Sequence, residues 1–407
     1  MNSIIKKISA IKIILYKYVY ITYKLLPTLF LSKKHCINTS QFITIEVDGY
    51  KNTFFGYYDK SPINPDNKNL LIFHANNHNS KKKPSPISKT SIILFDLNNF
   101  KYQEIGYTNA WNWQQGARLH WLNAKCLIYN FFDDSNKSYK ASIYNIDNGK
   151  SYIIPYPVQD SYKDEYIISI DFSALNKTRP DYGYRNIPEH FHHQLIYYNL
   201  KTKDTYILLD VNILAKQIIG VINFNKFLYR VNHVHISPDG DKFVFLFRYN
   251  IGSIRKHYLY LYRFLNNSFD LQLSNETISH YKWIDNVSII YWGSYKGSTD
   301  YHILNTDSKK VINTKLRLVD GHPSIIDHNS FITDTYPDHR RRRNLFKIDL
   351  ISNNIIKIAS FYESPLYGGQ TRCDLHPNYS SKFKIINVDV IIKGKRKLAL
   401  LKLDDDL

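Results

Sequence analysis

Beyond residue 45 the chain alternates short apolar runs with polar clusters. Leu70–Phe73, Ser91–Leu97, Cys126–Phe131, Phe243–Arg248, His257–Tyr262 and Ser288–Trp292 are such runs, each bounded by Asn, Asp, Gly, Ser or Pro. Runs this short, rich in β-branched and aromatic residues and closed by turn formers, predict strands.

The runs belong to a recurring unit: a polar or histidine-bearing stretch, a turn, then a strongly apolar strand. It reads seven times. Tyr57–Pro62 leads to Leu70–Phe73, and Gly116–Trp121 to Cys126–Tyr129. The third copy, Ile167–Phe172, is faint. Asn232–Gly240 leads to Phe243–Leu246, and His280–Trp283 to Ser288–Tyr291. Asp320–Ser324 leads to Phe331–Thr333, and Arg372–Pro377 to Phe383–Ile386. Successive copies lie about 40 to 65 residues apart, the size of a four-stranded blade with variable loops. One such blade cannot bury both of its faces, whereas radial packing buries each against a neighbour. The pattern predicts an all-β fold, a β-propeller of seven blades with four antiparallel strands each, over residues 41–407. Ser237-Pro238-Asp239-Gly240 predicts a tight turn between the innermost strand of the fourth blade and the next.

Residues 1–40 read differently. Ile4, Ile8, Ile11, Leu15, Val19 and Leu26 fall on one helical stripe, with Lys6, Lys17 and Lys24 opposite, and Pro27 ends the pattern. This predicts a short amphipathic helix within residues 3–31 that either lies on an anionic membrane surface or packs on the propeller's side, with a leader segment as the further alternative. Its lysines interrupt any stretch long enough to span a bilayer, and no small-residue cleavage site follows an apolar core.

Composition agrees with strands: 34 Tyr and 22 Phe stand against one Met. The formal charge of +19 invites nucleic acid, but the lysines are scattered through turns and no recognition-helix or RNA-binding aromatic motif is present. An anionic glycan or membrane accounts for the charge as well. Three distant cysteines, Cys36, Cys126 and Cys373, make no disulfide framework and point to a reducing, cytoplasmic compartment; the basic N-terminal segment adds a peripheral place at the inner membrane, with secretion left open. No Gly-rich phosphate loop, GxSxG elbow or HExxH pair occurs. Lys81–Lys83 and Arg340–Arg343 read as solvated loops, and His190–His193 as a loop cluster.

In a propeller the innermost strands line the axis, so their leading residues converge. Those positions here are polar. His235, His322 and His376 can ligate a divalent transition metal, with a Gln or Asp oxygen completing the shell, or can hydrogen-bond a glycan. Arg118 and Arg372 can neutralise a uronate, which acidifies the neighbouring sugar proton; both can equally be ion pairs to Asp59 or Asp374. His120, His233 or Tyr58 is then the easier base. Tyr58, Asp59, Gln114, Gln115 and Asp374 complete the expected substrate contacts.

Five stretches carry a resemblance: Phe55–Lys60; Trp113–Gly116; His235–Gly240; Gly321–Ser324 with Thr333–Asp338; and Arg372–Pro377. Across about residues 50 to 400 the chain resembles the oligogalacturonate-lyase-related, TolB-like β-propellers. That resemblance implies an axial site with a manganese-type ion held by three His and a Gln, here His235, His322, His376 and Gln370. It also implies β-elimination of acidic oligosaccharides or polysaccharides. The chain departs from the family in its last blade, where Asp374 stands at the first of two closely spaced histidines and Gln370 is offset. Two functions follow as expectations. One is a metal-assisted polysaccharide lyase with Arg118, His120, His233 and Arg372 as its catalytic set. The other is a non-catalytic glycan- or protein-binding propeller at a membrane, serving surface-polysaccharide assembly.

Overall fold

The strongest apolar run shows how the chain builds its core. Lys242–Ile251 is a strand with partners on both sides, and Phe243 through Phe247 are wholly buried. Strand alternation sends Phe243, Phe245 and Phe247 one way, into a cluster with Tyr166 and Leu195. It sends Val244 and Leu246 the other way, against Tyr281 and Leu304. One sheet therefore buries both faces, each against a different neighbour, at roughly 1.5–3 kcal/mol per large side chain.

The computed structural model describes residues 34–191, 193–223, 228–274 and 276–404. Among these residues the arrangement repeats in seven antiparallel sheets, six of four strands and one of five, which form the seven blades of a propeller. In chain order the blades begin with the inner strands Asn52–Phe54, His120–Trp121, Asp160–Tyr162, Tyr229–Ile236, Ile278–Trp283, Ser324–Asp327 and Asn378–Ser380. All seven predicted units fall in these blades.

The ring is closed by the N-terminal side of the chain. Phe42–Thr44 pairs with Lys395–Lys402 as the outermost strand of blade 7, and Cys36–Ile37 adds a fifth strand to blade 6. The sheets thus take in Cys36–Ile37, ahead of the boundary expected at residue 41. Joining the two ends of the chain in one sheet protects edges that would otherwise stay unpaired. The expected helix within residues 3–31 lies outside the described residues. Among the described residues no helix is long and apolar enough to cross a membrane.

Blade 3 explains why its unit is faint in the sequence. Its strands Tyr166–Ser169 and Gln194–Asn199 are neighbours in the sheet but are separated along the chain by residues 170–193. That excursion opens with helix α1 (Phe172–Thr178), whose N-cap Asp171 accepts from the Ser173 and Ala174 amides. A second helix, α2 (Val211–Ile219), follows the blade and is capped in the same way by Asp210. The predicted turn at Ser237–Gly240 is present. Gly240 has φ +82°, and a Cβ there would meet the Tyr162 ring at 2.7 Å, so both conformation and space call for glycine.

The Arg340–Arg343 run departs from the solvated loop expected of it. Arg342–Asp349 is a strand, and strand alternation turns Arg343 inward. It is buried there between Glu363 (3.0 Å) and Asp374 (2.7 Å).

Candidate functional site

Backbone geometry at the blade openings sets the site. Among the described non-glycine residues with positive φ, three are buried: Arg118, His233 and His376, at φ 54°, 55° and 47°. Arg118 and His376 lie just ahead of the inner strands His120–Trp121 and Asn378–Ser380, and His233 lies within Tyr229–Ile236. A left-handed, buried residue of this size is strained, and such strain concentrates at functional sites. At His233 it accompanies a break in register between Asn232 and His235, which re-aims the imidazole.

The inner residues form two tiers along the axis. The outer tier gathers Tyr57, Tyr58, His233, His280, His322 and His376. The His280 and His322 ring centroids are 4.0 Å apart, and those of His322 and His376 are 4.4 Å apart. Tyr57 Oη lies 2.8 Å from His233 Nδ1. Two of the imidazoles are oriented by carboxylates. His322 Nδ1 donates to Asp334 (2.8 Å), and His280 Nδ1 donates to Asp320 (3.0 Å).

These settings separate the four histidines. Burial, followed by the Arg248 charge, holds His233 well below the ordinary histidine range. Burial, followed by His322, does the same to His376 and also lowers His280. Burial pulls His322 down as well, but the Asp334 carboxylate more than offsets it and leaves His322 raised.

The outer tier opens into a pocket of about 560 Å³. Its wall includes Arg179, Arg248, Arg255 and Arg372 with His233 and His280, and Asp320 is the acid on that wall. Behind the His280 and Arg372 wall, His322, Asp374 and His376 bring their ligand atoms within 4.8 Å of one another. The Nε2 atoms of His322 and His376 are buried without a hydrogen-bond partner. Two free imidazole nitrogens beside a carboxylate, one of them oriented by Asp334, fit a divalent transition metal. Asp374 also binds Arg343 (2.7 Å) and Arg372 (2.6 Å), which hold it well below the usual carboxylate range although burial alone would raise it.

The inner tier comes from blades 1 to 4. Here Arg118 grips Asp59 with two bonds (3.0 and 2.6 Å) and gives Nε to the Gln159 carbonyl (2.9 Å). Lys60 pairs with Asp160. His120 has both nitrogens engaged, at the Arg118 carbonyl (2.7 Å) and Ser161 Oγ (2.8 Å). Burial and the nearby cations push it down to about 3. His235 also belongs to this tier, pushed down to about 3 by burial and then by Lys282, with Asp160 and Asp59 opposing.

The structure thus divides the residues singled out from the sequence. It brings His233, Arg372, Tyr58, Asp374, His322 and His376 together. Arg118, Asp59 and His120 form the inner, charge-paired tier, so the ion-pair alternative describes Arg118. His235 lies among Lys282, Asp160, Asp59 and Lys60 rather than with the His322–His376 pair. Gln370 lies in the short 3₁₀ turn Gly369–Thr371, where its Oε1 accepts from Arg185. Gln114 donates to the Arg372 carbonyl (2.7 Å) and supports that residue, while the Gln115 Oε1 is buried without a partner. The sequence reading missed His280, Arg248, His257, Arg179 and Tyr182. Arg248 and His257 terminate two of the predicted apolar runs, a signal that was available. Arg179 and Tyr182 come from the blade 3 excursion, which has no repeat to mark it.

Fold and mouth together define a seven-bladed propeller with a cationic, histidine-walled axial pocket. Solved structures share the fold. Oligogalacturonate lyase in complex with manganese is similar with a TM-score of 0.61 and 13% identity, over 93% of this chain and 99% of that one. The oligogalacturonate lyase of Vibrio parahaemolyticus gives 0.60 and 12%, over 92% and 99%. The β-propeller domain of the Trilobed protease from Pyrococcus furiosus gives 0.50 and 10%, over 87% and 96%. No protein family and no curated protein matches the chain by sequence.

Proposed function

We propose that the axial pocket takes an acidic oligosaccharide and that the propeller cleaves it by β-elimination with the help of a divalent metal. The observation that carries this reading is the pocket itself. Four arginines and one carboxylate line it, and two partnerless imidazole nitrogens lie directly behind its wall. The likeness of fold to a manganese-bound oligogalacturonate lyase supports it.

In this reaction a base removes the proton next to the uronate carboxylate. The electrons form a C4–C5 double bond, the bond from C4 to the glycosidic oxygen breaks, and the leaving sugar takes a proton. Arg248 and Arg255, which have no carboxylate partner among the described residues, meet the carboxylate and lower the cost of charge developing beside it, while Arg372 is already paired with Asp374 and Asp181. His233 is the base the pocket offers. It faces the cavity, is held neutral, and shares a hydrogen bond between Nδ1 and Tyr57 Oη; in the tautomer that carries its proton on Nδ1, Nε2 keeps the lone pair a base needs. Arg118 has its guanidinium committed to Asp59 and the Gln159 carbonyl, which supports His233 over it as the base. A manganese-type ion held by His322, His376 and Asp374 would supply Lewis-acid polarisation of the substrate carboxylate.

The double pairing of Asp374 with Arg343 and Arg372 favours a second reading. In it the same pocket binds a glycan or protein without cleaving it, and residues 3–31 dock the propeller on the cytoplasmic side of the inner membrane in surface-polysaccharide assembly. One experiment separates the two. Metal content is measured on purified protein, and absorbance from unsaturated uronate is followed across acidic oligosaccharides. The lyase reading expects a bound divalent metal and cleavage, both lost in His322→Ala and His376→Ala. No metal and no cleavage, or a His322→Ala protein as active as the parent, sinks it.

A further inference from the structure

The charge in the pocket is concentrated on blade 4 and is not balanced there. In that sheet Arg230 lies opposite Arg248, and Arg248 opposite His257. Residues opposite one another in an antiparallel sheet point to the same face. Arg230, Arg248 and His257 therefore make one row across the blade, and its last two members line the pocket. Arg255, two residues before His257, lines the pocket from the rim.

Among the described residues none of Arg230, Arg248 and Arg255 has a carboxylate partner. Arg248 is 2% exposed and bonds only neutral groups: the Ile278 carbonyl (2.5 Å), the Ser279 carbonyl (3.3 Å), Asn232 Oδ1 (3.3 Å) and His257 Nδ1 (3.1 Å). Arg230 is 1% exposed, and its Nε, Nη1 and Nη2 are all without a partner. Burial and the neighbouring Arg248, Arg179 and Arg255 push its pKa down to about 8. A guanidinium keeps its proton in a protein, so Arg230 is a buried charge left uncompensated. Arg179 differs, because Asp181 neutralises it through two bonds (2.9 and 2.7 Å).

A single uronate carboxylate answers one of these three charges. We infer that the blade 4 row binds a tetrahedral dianion, a phosphate or sulfate monoester carried by the saccharide. This inference rests on the saccharide reading of the same pocket and names the ligand class within it. The two pocket-lining guanidiniums Arg248 and Arg255, with the Arg230 charge beside Arg248 in the same row, favour a doubly charged ligand over a single carboxylate, and a tetrahedral oxyanion accepts from several directions at once. Arg230 lies outside the pocket lining, so such a ligand offsets its charge from across Arg248.

The test uses the full-length protein at constant ionic strength. It is titrated with inorganic phosphate, sulfate, acetate and glucose 6-phosphate, followed by Tm and by calorimetry. Phosphate and sulfate are expected to raise Tm with the logarithm of their concentration, acetate is expected to do nothing comparable, and the hexose monoester should bind at least as tightly as inorganic phosphate. Arg230→Met should bind the dianions about 10-fold more weakly or worse. It should also melt at or above the parent Tm without anion, because it removes an unpaired buried charge. Arg255→Gln, at the exposed rim, provides an independent variant and should weaken binding several-fold with Tm unchanged. Equal effects of acetate and phosphate overturn the inference. So does an Arg230→Met protein that melts lower yet binds dianions as the parent does, or a monoester that fails where free phosphate binds. Dianion binding without cleavage of any uronate leaves this inference standing and removes the lyase reading. Uronate cleavage with no response to phosphate or sulfate does the reverse.

Discussion

The two tiers of the axis both draw on histidines, carboxylates and cations, yet they handle charge in different ways. In the inner tier each carboxylate has a cation. Asp59 is held by Arg118 and Asp160 by Lys60, and the histidine between them has both nitrogens occupied. In the outer tier donors and acceptors are left over. The Nε2 atoms of His322 and His376 have no hydrogen-bond partner among the described residues, nor does the Arg230 guanidinium. A buried polar group without a partner costs free energy, so a protein that keeps several in one place keeps them for a ligand. A His–Arg–Asp constellation at a propeller axis is therefore ambiguous until its pairing is known. Paired, it is architecture; unpaired, it is a site.

The comparison breaks first where pairing is most complete. Arg118→Met leaves the buried Asp59 carboxylate alone, and urea unfolding should show a loss of about 3–5 kcal/mol. A loss this large in the inner tier, set beside no loss for Arg230→Met in the outer tier, is the sharpest form of the contrast.

Lys282 gives the second test. It reaches from blade 5 to the Asp59 carbonyl (3.0 Å), among Asp59, Lys60, Asp160 and Arg118. Burial is the main cause that pushes it down to about 8. Because its folded pKa is depressed, its contribution to stability is present above the unfolded value near 10.5 and is lost as pH falls through about 8. The parent should therefore gain stability between pH 8 and 10.5, by a swing of the order of 3 kcal/mol at most. Lys282→Met should show no such gain in parallel unfolding curves.

The smallest effect expected is in the outer tier. Asp334→Asn removes the carboxylate that fixes His322 without touching the donor atoms. Manganese affinity, read by titration, should fall about 10- to 100-fold with the fold retained. Unchanged affinity would mean that Asp334 is only structural.

Much of the fold was legible because blade packing demands a repeated apolar strand after each polar start. The faint copy at Ile167–Phe172 is faint because the chain leaves blade 3 over residues 170–193 before completing it. The N-terminal strands that close the ring were not legible. Phe42–Thr44 carries nothing in its own sequence that names Lys395–Lys402 as its partner. For the site, the inner-strand starts gave His233, His322, Asp374 and His376. Depth along the axis was not available from the pattern, so His235 and Arg118 were grouped with residues one tier away. The buried row of Arg230, Arg248 and His257 needed register, because strand pairing is what places those residues side by side.

The central claim is that unpaired charge in the outer tier selects an acidic saccharide. The direct measurement is calorimetric titration with a galacturonate trisaccharide and with its methyl-esterified form, at low and high salt. The account predicts binding of the acid, weakened by salt and by Arg248→Met, and no binding of the ester. Equal affinity for the two forms, or binding of neither, contradicts it.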